Sequence, residues 1–499
     1  MNLPPSLASV EERIRESAKA HGLKCFDTIF EMVDEEQLDE IAAYGGFPTR
    51  YPHWRHGMEF ERLRKSSRWG ISKIYELVIN NDPCYAYLLA SNSLTDNKLV
   101  MAHVYGHCDF FRNNAWFRHS ERKMMDRMAN HAVRVRRIID RHGQEAVEAF
   151  LDRALSLENL LDYRQLCEAS APPRPQPRHL AEDGDDTPER APNFRLRSRD
   201  YMDEFINPPE YMEKRRRQHV AEQEAEKRLP GGPRRDLLAL LLEHAPLERW
   251  EWELLNIVHE EALYFAPQRV TKIMNEGWAS YWHRRLMVED VLTDAELVDY
   301  ADTVAGTLAE GNTLNPYKLG LELFLDIEAR WNSGRHGPAF DACDEMAQRE
   351  AWDKQENRGL EQIFLSRAVH DDVTFLDAYL TEEFCHRHQL FVYRRDPRTH
   401  KKELVTREFS KVKEELLNNI ANGGAPIIEA EDLNHGNRGD LLLTHRHMGR
   451  DLRPDFAEAT LLNMAAIWKR PVVLESSVED KLVRWVACDG KVTMDHPSS

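Results

Sequence analysis

Met101–Asn114 reads MAHVYGHCDFFRNN, and the fold of the chain turns on this stretch. Two histidines, His103 and His107, stand four positions apart among apolar residues. On an α-helix such positions lie one above the other on a single face, so both imidazoles can meet one ion at about 2.0–2.1 Å each. Gly106 inside so apolar a helix costs about 1 kcal/mol against alanine, and close approach of another helix or of a ligand would offset it. Asp109 with Asn113 or Asn114 can supply the hydrogen bonds that hold the far sides of ligating rings. A lone HxxxH is weak evidence of metal in a chain with 22 histidines, and two core histidines are the alternative.

A second stretch, Asn275–Ala279 (NEGWA), strengthens the metal reading. In the gluzincin zinc peptidases a glutamate from a second helix joins two histidines of the first, often within the words N-E-G-F-A, and NEGWA resembles that helix. The predicted ligands are therefore His103, His107 and Glu276, in a zincin-like helical cleft. Zinc is the first expectation, and iron or manganese also suit two histidines with carboxylates. The alternative is a buried Glu276 answered by His283 or Arg269, because a buried carboxylate needs a partner. Val104 departs from the peptidase pattern: it stands where HExxH carries its glutamate, and it cannot take a proton from water. The candidate bases are Glu260 and Glu261 in HEEALYFAPQ, with Tyr264 as a donor to an oxyanion. The same two glutamates could instead ligate or pair with arginines.

Composition narrows the function classes. A chain of 499 residues, 42% apolar, can bury the cores of two or three domains. Its 67 basic and 85 acidic residues give −18, which repels a polyanion, so nucleic acid is a poor partner. Seven scattered cysteines without a CxxC point to a reducing compartment. The start, MNLPPSLASVEERIRE, lacks the basic and apolar regions of a secretory signal, and no run of about 18 apolar residues follows. A soluble cytoplasmic protein with no membrane partner is the expectation.

The predicted fold is a mainly α N-terminal domain followed by a small α+β C-terminal domain. Residues 1–168 form the first helical part. Within it Ser9 and Glu12 suggest a capping box, Phe26–Gly46 a helix ending on a glycine pair, and CYAYLLASNS a short strand. Residues 169–235 hold a proline-rich, charged insertion and an exposed helical arm. The second helical part, 236–356, contains Pro267, expected to separate a helix ending near Tyr264 from the one with Glu276 and His283. Residues 357–499 read as β-β-α-β-β-α-β-β. There His435, His445 and His447 form a weaker candidate metal set, and Arg438 between Gly436 and Gly439 a weak anion-binding turn. The aromatic and basic stretch Tyr51–Arg68 could stack on a ligand, although packing of Trp54 and Phe60 into a core is the commoner outcome.

Several phrases together resemble one family. YPHWRHGMEFE, AHVYGHCDFFRNN, EEALYFAPQ, KIMNEGWASYWH, NPYKLGLELFLDIEARW, DDVTFLDAYLT and LTHRHMGRDLRPDFAEATLLNMAAIWKRPVVLES look like the stage V sporulation protein R (SpoVR) family, over the whole chain except the insertion. The resemblance implies a large helical domain, a small C-terminal domain and a link to spore cortex formation or to stress and stationary phase. It also implies association with a PrkA-type serine protein kinase and a von Willebrand factor A-domain protein. It supplies no settled reaction. Two readings follow: a zinc-dependent hydrolase of amide or peptide bonds, with a cell-wall peptide, its precursor or a protein as substrate, or a non-catalytic regulatory partner of the kinase and the A-domain protein. In the second, the insertion and the acidic arm from Glu210 to Asp236 would be docking surfaces.

Overall fold

The structure, a computed structural model, describes residues 3–68, 76–168, 234–308, 314–395, 402–478 and 481–496. The insertion and most of the arm therefore lie outside the described residues. Helix α1 (Pro5–Ala20) begins before the expected capping box: Pro5 takes its first position, where a missing N–H costs nothing, and Ser9 Oγ bonds back to Ser6 O. Phe26–Gly46 is not one helix either. Its first half is strand β1 (Thr28–Val33), and α2 (Glu35–Ala43) starts at Asp34, which forms a capping box with Gln37. A short apolar run is ambiguous by periodicity, and here the neighbouring backbone decides. β1 pairs in parallel with β3 (Cys84–Leu89), which pairs antiparallel with β2 (Leu77–Ile79). The expected strand in CYAYLLASNS is β3, and both Gly45 and Gly46 have positive φ.

Helix α3 (Leu94–Asn113) carries the opening stretch. Ser93 caps it by accepting Asp96 N–H at 3.0 Å. Every residue from Val100 to Phe111 is buried, as befits a helix apolar on all sides. Helix α4 (Arg249–Val270) runs through Pro267 instead of ending near Tyr264. The break comes at Thr271, whose Oγ1 bonds to Pro267 O at 2.7 Å, and α5 (Lys272–Leu286) follows. No side chain of its own caps α5. The carboxylate of Asp372 does so across the fold, accepting the N–H groups of Ile273 and Met274 at 2.8 and 2.9 Å.

Helices α3, α5 and α6 (Pro316–Ser333) meet through their smallest residues. A Cβ on Gly106 would stand 2.6 Å from Ala279 Cα, and Gly277 and Gly320 face each other with no room for a side chain on either. Around this contact Met101, Val104, Trp278, Trp282 and Phe324 are buried in one apolar core. The glycine that seemed costly at the level of helix propensity is what allows α3 and α5 to cross so closely.

The chain divides into two compact units. The first takes the residues up to Gln144, the segment from Tyr163, and Leu263–Gly424; the second takes Glu145–Asp162, the chain up to Ala262, and Ala425 onward, so the division falls inside α4. The first unit is mainly helical. It holds the three-stranded sheet and a hairpin of β4 (Val392–Arg395) and β5 (Lys402–Thr406). The second holds a five-stranded sheet in the order β10-β9-β8-β7-β6. Its strands are β6 (Ile428–His435), β7 (Asp440–His445), β8 (Val472–Val478), β9 (Lys481–Cys488) and β10 (Lys491–Asp495). β7 and β8 are parallel, so a crossover must join them, and α7 (Pro454–Trp468) supplies it. The expected order of strands and helices is present, with β10 in addition.

Candidate metal centre

Four side chains of the first unit converge. His103 and His107 project from α3 with ring centroids 4.6 Å apart. Glu276 comes from the first turns of α5, and Glu76 stands immediately before β2. One ligand atom from each of the four lies within 4.8 Å of all the others. Glu76 Oε1 is 3.2 Å from His103 Nε2 and 3.7 Å from His107 Nε2, while Glu276 Oε2 is 3.7 and 3.4 Å from the same nitrogens. Both imidazoles are almost wholly buried. Despite this crowding, His103 Nε2 and Glu276 Oε2 have no hydrogen-bond partner among the described residues. Two polar atoms left unmatched at the centre of a buried cluster are what an ion-binding site shows before its ion is added.

The far sides of the rings are held, though not by the residues expected. His107 Nδ1 donates to Asn275 Oδ1 at 2.9 Å, and His103 Nδ1 lies 2.8 Å from His283 Nδ1. Burial and then the neighbouring His103 drive His283 well below its ordinary pKa, and one of the two Nδ1 atoms carries the proton they share. Both Nε2 atoms are thereby aimed at the carboxylates. Asp109 serves elsewhere: it accepts Trp278 Nε1–H at 2.9 Å and Lys24 N–H at 2.8 Å, beside Arg367. Asn113 bonds to Lys24 and Asp109, and Asn114 bonds to Arg367 O and His370 O.

Charge explains the electrostatics. With neutral imidazoles the cluster carries two buried negative charges, which protons or a cation must balance. Burial is the largest single cause and would lower both histidine pKa values, but Glu76 and Glu276 together outweigh it at His103, and Glu276 with Glu76 pushes His107 up to about 10. Burial would raise the two glutamates, yet the histidines hold both below the usual carboxylate range. A divalent ion in place of the two protons leaves the set neutral. Two imidazoles and two carboxylates suit zinc, iron or manganese.

A cavity of about 630 Å³ opens beside the cluster, with Glu76 and His103 in its wall. Tyr317 also lines it, and burial followed by the charges of Glu276 and Glu76 raises its phenol pKa.

A family model described as SpoVR like protein matches residues 3–425. The chain belongs to the SpoVR family. This SpoVR chain is 28% identical over 491 residues to "Uncharacterized protein YcgB" of Escherichia coli (strain K12), a match covering 93% of this chain and 90% of that protein. No solved structure matches. Among the described residues no helix of the SpoVR chain is long and apolar enough to cross a membrane.

The remaining candidate residues are not members of this four-residue group. Glu260 and Glu261 belong to the second unit, whereas the cluster belongs to the first. Glu260 Oε1 accepts from Asn256 Nδ2 at 3.0 Å, and Glu261 is buried. Tyr264 lies in the first unit, where its hydroxyl donates to Asn80 O at 3.2 Å and burial raises its pKa. Val104 packs in the core. In the second unit His445 Nδ1 contacts Ser476 Oγ at 2.8 Å, His447 Nε2 contacts Asp451 Oδ1 at 2.8 Å, and Arg438 pairs with Asp440 at 2.6 Å. Among the described residues only the Glu76–His103–His107–Glu276 group converges as a metal site would. Trp54, expected in a core, is 56% exposed.

Glu76 and the supporting roles of Asn275 and His283 escaped the sequence reading. Glu76 shares no helix with the other three residues, so no spacing rule points to it. His283 was a candidate partner for Glu276, and the fold gives it to His103 instead.

Proposed function

We propose that this SpoVR protein holds one divalent transition-metal ion through His103 Nε2, His107 Nε2 and Glu276, and uses it to hydrolyse an amide or peptide bond. The convergence of four ligand atoms within 4.8 Å in a buried set with two negative charges supports this reading. A bound ion of this kind supplies a Lewis acid that polarises a carbonyl and makes water a nucleophile near neutral pH. Of the two carboxylates, Glu76 lines the cavity and Glu276 does not. Glu276 is therefore assigned to ligation and Glu76 to the proton: Oε1 takes it from the attacking water and returns it to the leaving nitrogen. This is the work that Val104 cannot do. A cell-wall peptide or its precursor is the substrate proposed from the family association.

Elemental analysis tests the reading. The purified chain is expected to carry about one ion, and the His103→Ala/His107→Ala double variant almost none. Glu276→Gln should lower the content, whereas Glu76→Gln should keep most of it. Less than about a tenth of an ion per chain, with no uptake of added zinc, defeats the proposal. A pull-down that still recovers a serine kinase from such ion-free protein would favour the regulatory-partner reading.

A further inference from the structure

Three helices present matched stripes to the cavity. Leu99 and His103 lie one turn apart on α3, Ser280 and Arg284 one turn apart on α5, and Tyr317, Leu321 and Leu325 at successive turns of α6. Residues at i and i+4 share a helix face, so each stripe leads away from the ligand cluster along one wall. Next to the cluster the wall is polar, with Glu76, His103, Ser280 and Tyr317; Leu99, Leu308, Leu321 and Leu325 supply an aliphatic surface in the same cavity. A volume of about 630 Å³ is that of a small-molecule site and not of a single trapped water.

Ser280 adds an independent observation. It is 1% exposed, it belongs to the cavity wall, and Oγ has no hydrogen-bond partner among the described residues. A buried hydroxyl in a helix ordinarily bonds back to the carbonyl one turn earlier. Left unpaired beside a cavity, it offers a hydrogen-bonding group to a polar atom that enters.

From this arrangement we infer that the site takes an amphipathic acyl compound, an amide or ester of an aliphatic carboxylic acid. Its polar head lies at the cluster within reach of Ser280 Oγ, and its chain lies along Leu99, Leu308, Leu321 and Leu325. The inference rests on the metalloprotein reading for the head and on the cavity alone for the tail.

The two parts separate in one experiment. Acetohydroxamate, butanohydroxamate and octanohydroxamate are titrated calorimetrically against the full chain as purified, with its metal content measured, and again after chelation. Each methylene that leaves water contributes about fourfold in affinity, so octanohydroxamate should bind on the order of 50-fold tighter than acetohydroxamate even if only half of its added chain is covered. Leu325→Gln should flatten that gradient with the ion content unchanged. Ser280→Ala should weaken all three ligands about threefold to tenfold, again at unchanged ion content. Equal affinity across the series in ion-containing protein overturns the substrate class and leaves the metal centre standing. A chain-length gradient that chelation does not weaken retains the cavity assignment and defeats the metal reading of the head. No effect of Ser280→Ala removes Ser280 from the site.

Discussion

Gly106→Ala sets helix propensity against tertiary packing. In an isolated helix the change stabilises by about 1 kcal/mol. Here the added Cβ would stand 2.6 Å from Ala279 Cα and 3.2 Å from Ala279 Cβ, where ordinary contact begins near 3.4 Å. The neighbour is helix backbone and cannot rotate away, so α3 and α5 must part by about 0.8 Å at the crossing, the difference between 3.4 and 2.6 Å. Overpacking of this kind costs about 1–3 kcal/mol, enough to cancel or exceed the propensity gain. The parting also acts on the metal centre, because His107 follows Gly106 on α3 and Glu276 precedes Ala279 on α5. Ligand distances tolerate only about 0.2 Å, so ion content should fall several-fold. The assay is urea unfolding of the chelated protein, read as a midpoint shift at constant slope, with elemental analysis of the untreated protein alongside. Gly57→Ala is the control: Gly57 lies in the helix Trp54–Arg68 with nothing within 4 Å of its would-be Cβ, so the substitution should stabilise by up to about 1 kcal/mol. If Gly106→Ala behaves like Gly57→Ala and keeps its ion, the close crossing of α3 and α5 is wrong.

Val104→Glu, which restores the letters of HExxH, should not create a base. Val104 is fully buried in the core, so the variant should lose more than about 3 kcal/mol or fail to fold; a stable variant with added hydrolysis of a peptide would refute this placement. pH supplies another test. In chelated protein, burial acts to lower the His107 pKa, but Glu276 and Glu76 outweigh it and raise the value from 6.5 to about 10. The stability this contributes is whole below pH 6.5 and is lost as pH rises towards about 10. Glu76 and Glu276, held below 4.5, contribute in the opposite sense, fully above that value and less on acidification. Urea midpoints of chelated protein should thus decline from neutral to alkaline pH, and those of ion-containing protein should not, because the ion replaces the protons. Identical alkaline slopes in the two samples would count against a shared site.

Much of the architecture was legible because it depends on neighbours along the chain. The apolar, glycine-containing stretch around His103 is a core helix, and the β-rich runs after Leu390 are strands in the expected order. Failures came where a partner outside the segment made the choice. TIFEMV became a strand because β3 offered it a parallel edge, and Pro267 did not end α4 because the helix could absorb it for another turn before Thr271. The start of α5 likewise depends on Asp372, nearly a hundred positions away.

By itself the sequence determined the family, the pairing of His103 with His107 on one helix face, and Glu276 as a carboxylate on a second helix. Periodicity and long shared phrases encode those features. Only the tertiary structure decided that Glu76 completes the set, that Asn275 and His283 orient the rings, and that Glu260 and Glu261 belong to a different unit from the cluster. The physical reason is that spacing rules act within one element, whereas a buried site is assembled from elements whose approach is set by packing. At this site that packing is the contact of Gly106 with Ala279 and of Gly277 with Gly320.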